Sequence, residues 1–568
     1  AYDGSKTPVP DNNPIDCAVA GHGTHVAATA AGSGVLRNGS TYTGPYDENT
    51  HANEFRVGPG VAPEADIYAL RVFGCEGSSD LITEALDWAV AHDMDVVNMS
   101  LGSSFGRTTD PDAVAASNAV ADGVLVVASA GNSGSAPYLV GAPSVGAGVV
   151  SVAANDPAAT YPAATLDISG TQVTVINANG ASLPANAQVL VMKDANGNLS
   201  AGCERDEWQQ IPWGRLVVTK RGDCARVQKA IWGQKYGAAG VVMVNSDESL
   251  PPYEGEITRN PETGESWRVR IPFLGASSKD GDALIGADGQ TITLAPTTVE
   301  NPGYSEFGDF SSSGPRSGDS APRPSVTAPG VSISSAMVGS GTGSTMMSGT
   351  SMSSPMAAGV AALAVQAHPQ WTNQEIASIL VTSADSEKVD DYRTSRGGGL
   401  VDPVDAVHSG IVAYGDSAKV GNVVVREPVV SFGYAELTDS HSDTHTITLI
   451  NKQDTEVTLS GNVLPSAKSL PADVGLGTNQ VTIPAGGSVE IPLSVTVKAA
   501  DIPSSIAKNN DPGFYEVSGN VRFTDPNGQA LSIPYLLVPR SISKLSTTQV
   551  FNDQLNSEVT FTNDGGAL

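Results

Sequence analysis

Three polar residues of this 568-residue chain sit in settings that suit nucleophilic catalysis. His22 lies between two glycines in "GHGTHVAATAAG", where an imidazole can face a crowded cleft and act as a general base. Ser351 follows Gly349 and Thr350 at the head of an apolar helical run, "SGTSMSSPMAAGVAAL". A hydroxyl there projects at a helix N-terminus, where free N–H groups and the helix dipole favour developing negative charge. Asn132 closes the buried-strand pattern "VLVVASAGN", and its side-chain amide can donate to an oxyanion. A base, a nucleophile and an oxyanion donor are what acyl transfer through serine requires. Each alone has a blander reading, as a turn histidine, an N-cap serine and a turn asparagine. His25, one helical turn after His22, faces elsewhere and reads as structural.

The elements that would position these groups alternate between strand and helix from Ala65 to Ala154. "ADIYALRVF" predicts a strand, and "DLITEALDWAVAH" a helix with Ile82, Leu86, Ala89 and Val90 on one face. "DVVNMSLG" is a second strand, "PDAVAASNAVADG" a helix closed by Gly123, and "VLVVASAGN" a third strand. Such alternation predicts a parallel sheet with helices on both faces, and working groups in such sheets gather at the carboxyl ends of strands. Two polar clusters, Ser100–Leu101–Gly102 and Ala130–Gly131–Asn132, stand at those ends. The pattern is lost over roughly 160 to 299 and resumes at "FSSSGPR". It continues through the Ser351 helix and "TNQEIASILVTSA", where Thr372 and Glu375 have capping-box spacing. Beyond 410 the text turns to period-two strands, with an Asp-Pro-Asn-Gly hairpin signal at 525–528.

"GHGTHVAATAAG", "VVNMSLG", "VVASAGN" and "SGTSMSSPMAAGVAAL" together resemble the histidine, pocket, oxyanion and serine blocks of the subtilisin-like serine proteases, in that family's order. The resemblance implies His22 as general base, Ser351 as nucleophile, and Asn132 with the Ser351 N–H as oxyanion hole. It makes Ser100, Leu101, Gly102, Ala130 and Gly131 the walls of the pocket for the residue before the scissile bond. In the family an aspartate in an Asp-Thr-Gly or Asp-Ser-Gly turn orients the histidine, and neither tripeptide occurs here. Asp3 and Asp16 precede His22, but neither follows an apolar strand. The expectation is that this aspartate lies upstream of residue 1, that its strand leaves a gap in the sheet, and that this exact chain is poorly active. Loss of that group costs about 3 × 10⁴ in turnover in a subtilisin.

The segment "GRLVVTKRGDCARVQKAIWGQKYGAAGVVMVN" resembles the protease-associated domain inserted in some subtilases, and 411–542 resembles their fibronectin type III-like domain. The expected architecture is therefore α/β, a subtilisin-like parallel sheet with helices on both faces, interrupted by an inserted α+β/β domain and followed by a β-sandwich. Its boundaries are 1–159 and 300–410 for the catalytic domain, 160–299 for the insert, 411–542 for the sandwich and 543–568 for the start of a further β-domain.

Composition narrows the partners. Acidic residues outnumber basic ones by 60 to 31, for a net charge of −29, which repels phosphate backbones and excludes nucleic acid as a partner. The longest uncharged stretch is broken by Asn, Pro, Gly and Ser, so no membrane span is expected. Of the three pairings open to four cysteines, Cys17 with Cys75 and Cys203 with Cys224 would each staple one domain, which fits an oxidising compartment. Secretion follows, with cell-wall association left open. His441 and His445 have a helical metal spacing but lie in strand-like text, which disfavours joint ligation. The chemistry needs no cofactor; a structural calcium ion is compatible with the family, and the sequence shows no EF-hand-like loop to hold it. A monomer acting on proteins or peptides is expected. The alternatives are a catalytically silent relative that binds proteins, and an α/β-hydrolase esterase, which the absence of Gly-x-Ser-x-Gly argues against.

Overall fold

The computed structural model describes residues 11–17, 21–75, 81–258, 260, 267–504, 513–551 and 557–563. These fall into two compact units, Pro157–Tyr304 and the remainder of the chain.

The α/β part of the larger unit is built on helices α1 (His22–Ala31), α2 (Ile82–Ala91) and α3 (Pro111–Ala121) and strands β1 (Val96–Met99), β2 (Leu125–Ser129) and β3 (Val150–Asn155). After the smaller unit come β4 (Val326–Pro329), the hairpin strands β5 (Ile333–Ala336) and β6 (Ser344–Met347), and helices α4 (Thr350–Ala367) and α5 (Asn373–Thr382). The sheet is parallel in the order β4-β3-β2-β1. Strand periodicity divides the side chains of β2 between two cores. Leu125 and Val127 join Val150, Val152, Val326 and the apolar face of α4 and α5, while Val126 and Ala128 join Ile82, Leu86, Ala116 and Val120 of α2 and α3. Helices therefore cover both faces, and the capping box predicted at Thr372 and Glu375 closes in both directions.

The strand predicted over "ADIYALRVF" does not form. Residues 66–74 form no β-ladder, Ile67 and Tyr68 are 50% and 60% exposed, and β1 is the outermost strand of the sheet. An apolar extended segment becomes a strand only when its N–H and C=O groups find a neighbour. No strand among the described residues lies beside this one, so its β-propensity goes unused.

The smaller unit is a closed barrel of seven strands. One core fills its interior around Leu166, Val175, Val189 and Leu274. A second core seats the Arg226–Lys235 helix on the outside, around the fully buried Trp208.

The C-terminal part of the larger unit pairs a four-stranded with a five-stranded sheet, whose inward residues form one core around Phe523, Tyr535, Ile447 and Leu493. The hairpin signal at 525–528 is realised, with Gly528 donating to the Asp525 carbonyl between antiparallel strands Val517–Thr524 and Ala530–Ser541. Leu545–Phe551 and Ser557–Asn563 form a separate hairpin.

A hairpin of β7 (Asp416–Val420) and β8 (Val423–Glu427) leads into the sandwich and carries Glu427 against the α/β part. Glu427 is 3% exposed; its Oε1 lies 2.8 Å from Arg323 Nη2 and 3.3 Å from Arg316 Nη1, and it accepts the Gly148 N–H at 3.1 Å. Arg323 is itself 2% exposed, and Arg316 makes a further pair with Asp319. Burial alone would push the Glu427 carboxyl up, but Arg323 and Arg316 bring it from its usual 4.5 down to about 2. Replacing Glu427 by Ala leaves two buried guanidinium groups without this counter-charge, an expected loss of roughly 3–5 kcal/mol in urea unfolding near neutral pH. Because the folded value lies below the unfolded one, the contribution is complete above about pH 4.5 and is lost as pH falls toward 2. The stability gap between the native protein and Glu427→Ala is expected to narrow across that window.

Candidate active site

Ser351 is the second residue of α4, and the helix begins without a cap of its own. Gly349 precedes Thr350 and has no side chain to offer the first N–H groups. The cap comes from the end of β2. Asn132 Oδ1 accepts from the Thr350 N–H at 2.9 Å and from the Thr350 hydroxyl at 3.0 Å. Two donors on one atom fix which end of the amide is oxygen. The Nδ2 group is then left exposed, with no partner among the described residues and 3.5 Å from where a Cβ on Gly349 would stand. The buried Thr350 hydroxyl also accepts the Gly131 N–H at 3.2 Å. One side chain thus joins the start of α4 to the end of β2.

A second relay joins α4 to the end of β1. The Ser354 hydroxyl donates to Asn98 Oδ1 at 2.7 Å, Asn98 Nδ2 donates to the Ser100 hydroxyl at 3.1 Å, and that hydroxyl donates to the Ser351 carbonyl at 2.7 Å. The Ser351 hydroxyl itself lies 3.4 Å from the Ser100 carbonyl. Ser100, Leu101 and Gly102 follow β1 and Ala130 and Gly131 follow β2; Ser100 meets Ser351 itself, and Gly131 meets the neighbouring Thr350. Gly102 admits no larger residue, since a Cβ there would stand 2.4 Å from the Ala142 carbonyl oxygen. The sequence reading missed Thr350, Asn98 and Ser354. The available signal was a polar Asn inside the apolar run "VVNMSLG", facing the helix that packs across it.

His22 is the first residue of α1, which packs along α4 and β5. The preceding Gly21 is left-handed (φ 63°), and a Cβ on it would meet Val338 Cγ1 at 2.7 Å, so both conformation and space demand glycine. Burial holds the His22 imidazole below its usual value, against the pull of the Asp16 carboxylate. Among the described residues His22 makes no hydrogen bond, either to Ser351 or to a carboxylate. His25, fully buried, bonds the Ile333 carbonyl through Nε2 at 3.0 Å and is likewise held low, chiefly by burial.

Cys17 is joined to Cys75 and Cys203 to Cys224. His445, on the strand Ser440–Asn451, lies between Asp416 and Asp443 at 3.4 Å from each. Among the described residues no group of three or more His, Cys, Asp or Glu side chains could hold a metal ion, and no helix is long and apolar enough to cross a membrane.

Removing the Thr350 hydroxyl with Thr350→Val takes the partner from the half-buried Gly131 N–H, an expected cost of about 0.5–1.5 kcal/mol in urea unfolding. Thr350→Ser keeps both bonds and is expected to recover most of it.

Comparison with known proteins identifies the family. Residues 1–401 match the model of the Subtilase family, and residues 429–536 match that of an Fn3-like domain. The chain is 28% identical over 556 residues to the minor extracellular protease Vpr of Bacillus subtilis (strain 168), covering 94% of this chain and 60% of that one. It is 29% identical over 556 residues to a PI-type proteinase of Lactococcus lactis subsp. cremoris, covering 84% of this chain and 28% of that one. It is 32% identical over 430 residues to the subtilisin-like protease SBT1.4 of Arabidopsis thaliana, covering 69% and 52%. The chain thus spans between 28% and 60% of these relatives' lengths. With its α/β sheet, the serine at the head of α4 and a family match over 401 residues, the chain belongs to the subtilase family.

Proposed function

We propose that this protein is a secreted serine endopeptidase that cleaves peptide bonds through an acyl-enzyme on Ser351. The supporting observation is the start of α4, where the Asn132 oxygen is committed to Thr350, and Asn132 Nδ2 and the Ser351 nitrogen stand 3.5 and 3.7 Å from the space that a Cβ on Gly349 would fill. In this reading His22 takes the Ser351 proton as the hydroxyl attacks the scissile carbonyl, then returns it to the leaving amine. The developing oxyanion is held by Asn132 Nδ2 and the Ser351 N–H. The relay through Ser100 and Asn98 holds the serine backbone while the hydroxyl moves. His22, held low by burial, is neutral and able to accept a proton at neutral pH.

The substrate is an extended peptide. Residues Ser100–Gly102 and Ala130–Gly131 offer mostly backbone and small side chains, which suits an apolar residue before the scissile bond and a broad preference. The barrel unit acts as a protease-associated domain, and the Fn3-like domain as a spacer or contact surface beside the catalytic part. The protein acts as a monomer outside the cell, where both disulfides persist. The reading requires a carboxylate behind His22, in the role that the Asp-Thr-Gly or Asp-Ser-Gly turn plays in the family.

Fluorophosphonate labelling with peptide mapping of the protein from its native source, alongside intact mass, tests this. Label on Ser351 is expected, and a mature protein whose Ser351 stays unlabelled leaves only the protein-binding alternative. An intact mass above that of the 568 residues shows whether further chain is there to supply the carboxylate. Asn132→Ala is expected to lower turnover by about 10²–10³ with little change in KM, a figure carried over from the same donor in a subtilisin.

A further inference from the structure

The mechanism leaves unused a carboxylate that touches the His22 helix. α1 begins after Gly21, which can offer no side-chain cap, and its third residue, Thr24, has its N–H satisfied from outside the helix. Asp16 Oδ2 accepts it at 2.7 Å, while Oδ1 accepts the Cys17 N–H at 2.7 Å. A Cβ on Gly23 would stand 3.5 Å from Oδ2, so the carboxylate lies over the first turn of the helix that His22 begins, and its charge acts on the imidazole. A negative group there complements the helix dipole.

Asp16 is itself held from both sides. The Cys17–Cys75 disulfide pins the next residue. The Arg71 guanidinium donates to the Ile15 carbonyl at 2.9 Å, reaches Cys17 Sγ at 3.2 Å and Cys75 Sγ at 3.6 Å, and donates to the Phe73 carbonyl at 3.1 Å. The Cys17 carbonyl in turn accepts the Gly21 N–H at 3.1 Å, which connects this brace to the start of the helix. Among the described residues, the elements packed on its helix bring no further charged side chain to His22. α4 (TSMSSPMAAGVAALAVQA) and β5 (ISSA) carry no charged side chain, and within α1 the one other titratable group is His25.

We propose that Asp16 is a positioning residue for His22, capping the helix that His22 begins and supplying the negative charge beside its imidazole, and that Arg71 with the Cys17–Cys75 disulfide fixes Asp16 in that place. The proposal rests on the protease reading only for its effect on turnover. Its geometric content is independent of it.

The test is an NMR titration of the His22 ring in the folded protein, with amide exchange of Thr24. Asp16→Asn removes the charge and keeps one oxygen, which can serve the Thr24 N–H or the Cys17 N–H but not both. Its His22 midpoint is expected to fall below that of the native protein, because an imidazolium loses its neighbouring anion, with Thr24 exchange faster than native by less than in Asp16→Ala. Asp16→Ala is expected to show the same fall and about fivefold faster Thr24 exchange from loss of the cap. Asp16→Glu is expected to restore the midpoint, and Cys17→Ser/Cys75→Ser to lower it with Asp16 still present. If the protein turns over peptides, the acid limb of its kcat/KM profile moves with the midpoint, an effect that a merely structural residue does not give. An Asp16→Asn protein whose His22 titrates as native overturns the proposal, whatever Ser351 does. A lowered midpoint in a protein whose mature Ser351 takes no fluorophosphonate supports the positioning role and overturns the protease reading alone.

Discussion

A helix that begins just after a glycine has no side-chain cap of its own, and this one constraint organises the site. The first N–H groups of a helix need acceptors, and both α1 and α4 begin after a glycine that offers none. Each helix therefore borrows an oxygen from another segment, Asp16 for α1 and Asn132 for α4. The residue that could do chemistry sits in the same first turn in both cases, His22 at the first position and Ser351 at the second. Glycine gives the close approach and the turn, and the borrowed cap gives the orientation. The same bonds that complete the helices hold the polar groups in register.

The rest of the fold fixes where the borrowed caps come from. β2 ends at Ser129, so Asn132 can reach α4, and β1 ends at Met99, so Asn98 and Ser100 can reach its next turn. Both strands are held by apolar side chains that alternate between two cores. α4 crosses this sheet with small residues, and a Cβ on its Gly359 would meet Val61 at 2.5 Å and the Ala30 carbonyl at 3.0 Å, so α1 can lie close. On the far side, Glu427 ties the sandwich to the α/β part through two buried arginines, where an isolated charge would be costly.

Much of this could be read from the sequence, because the signals were local. The periods of "DLITEALDWAVAH" and "VLVVASAGN" specify their elements, and Thr372 with Glu375 specifies a cap three residues apart. Gly-His-Gly and Gly-Thr-Ser mark close turns at helix starts. What was not legible depends on partners distant in the chain. The segment "ADIYALRVF" has strand composition, but whether it pairs depends on a neighbour that its own residues do not encode. The closure of the barrel and the Arg316–Arg323–Glu427 cluster join residues of widely separated stretches. Thr350 reads as a filler between Gly349 and Ser351 until Asn132, more than two hundred residues away, is set beside it.

The central claim is that Ser351 and Asn132 act on one reacting carbonyl, and the structure of the phosphonylated protein tests it most directly. The account requires phosphorus on Ser351 Oγ, with its oxygen about 2.7–3.1 Å from Asn132 Nδ2 and from the Ser351 N–H. An adduct on Ser351 whose oxygen points to solvent, with Asn132 Nδ2 turned elsewhere, would contradict it.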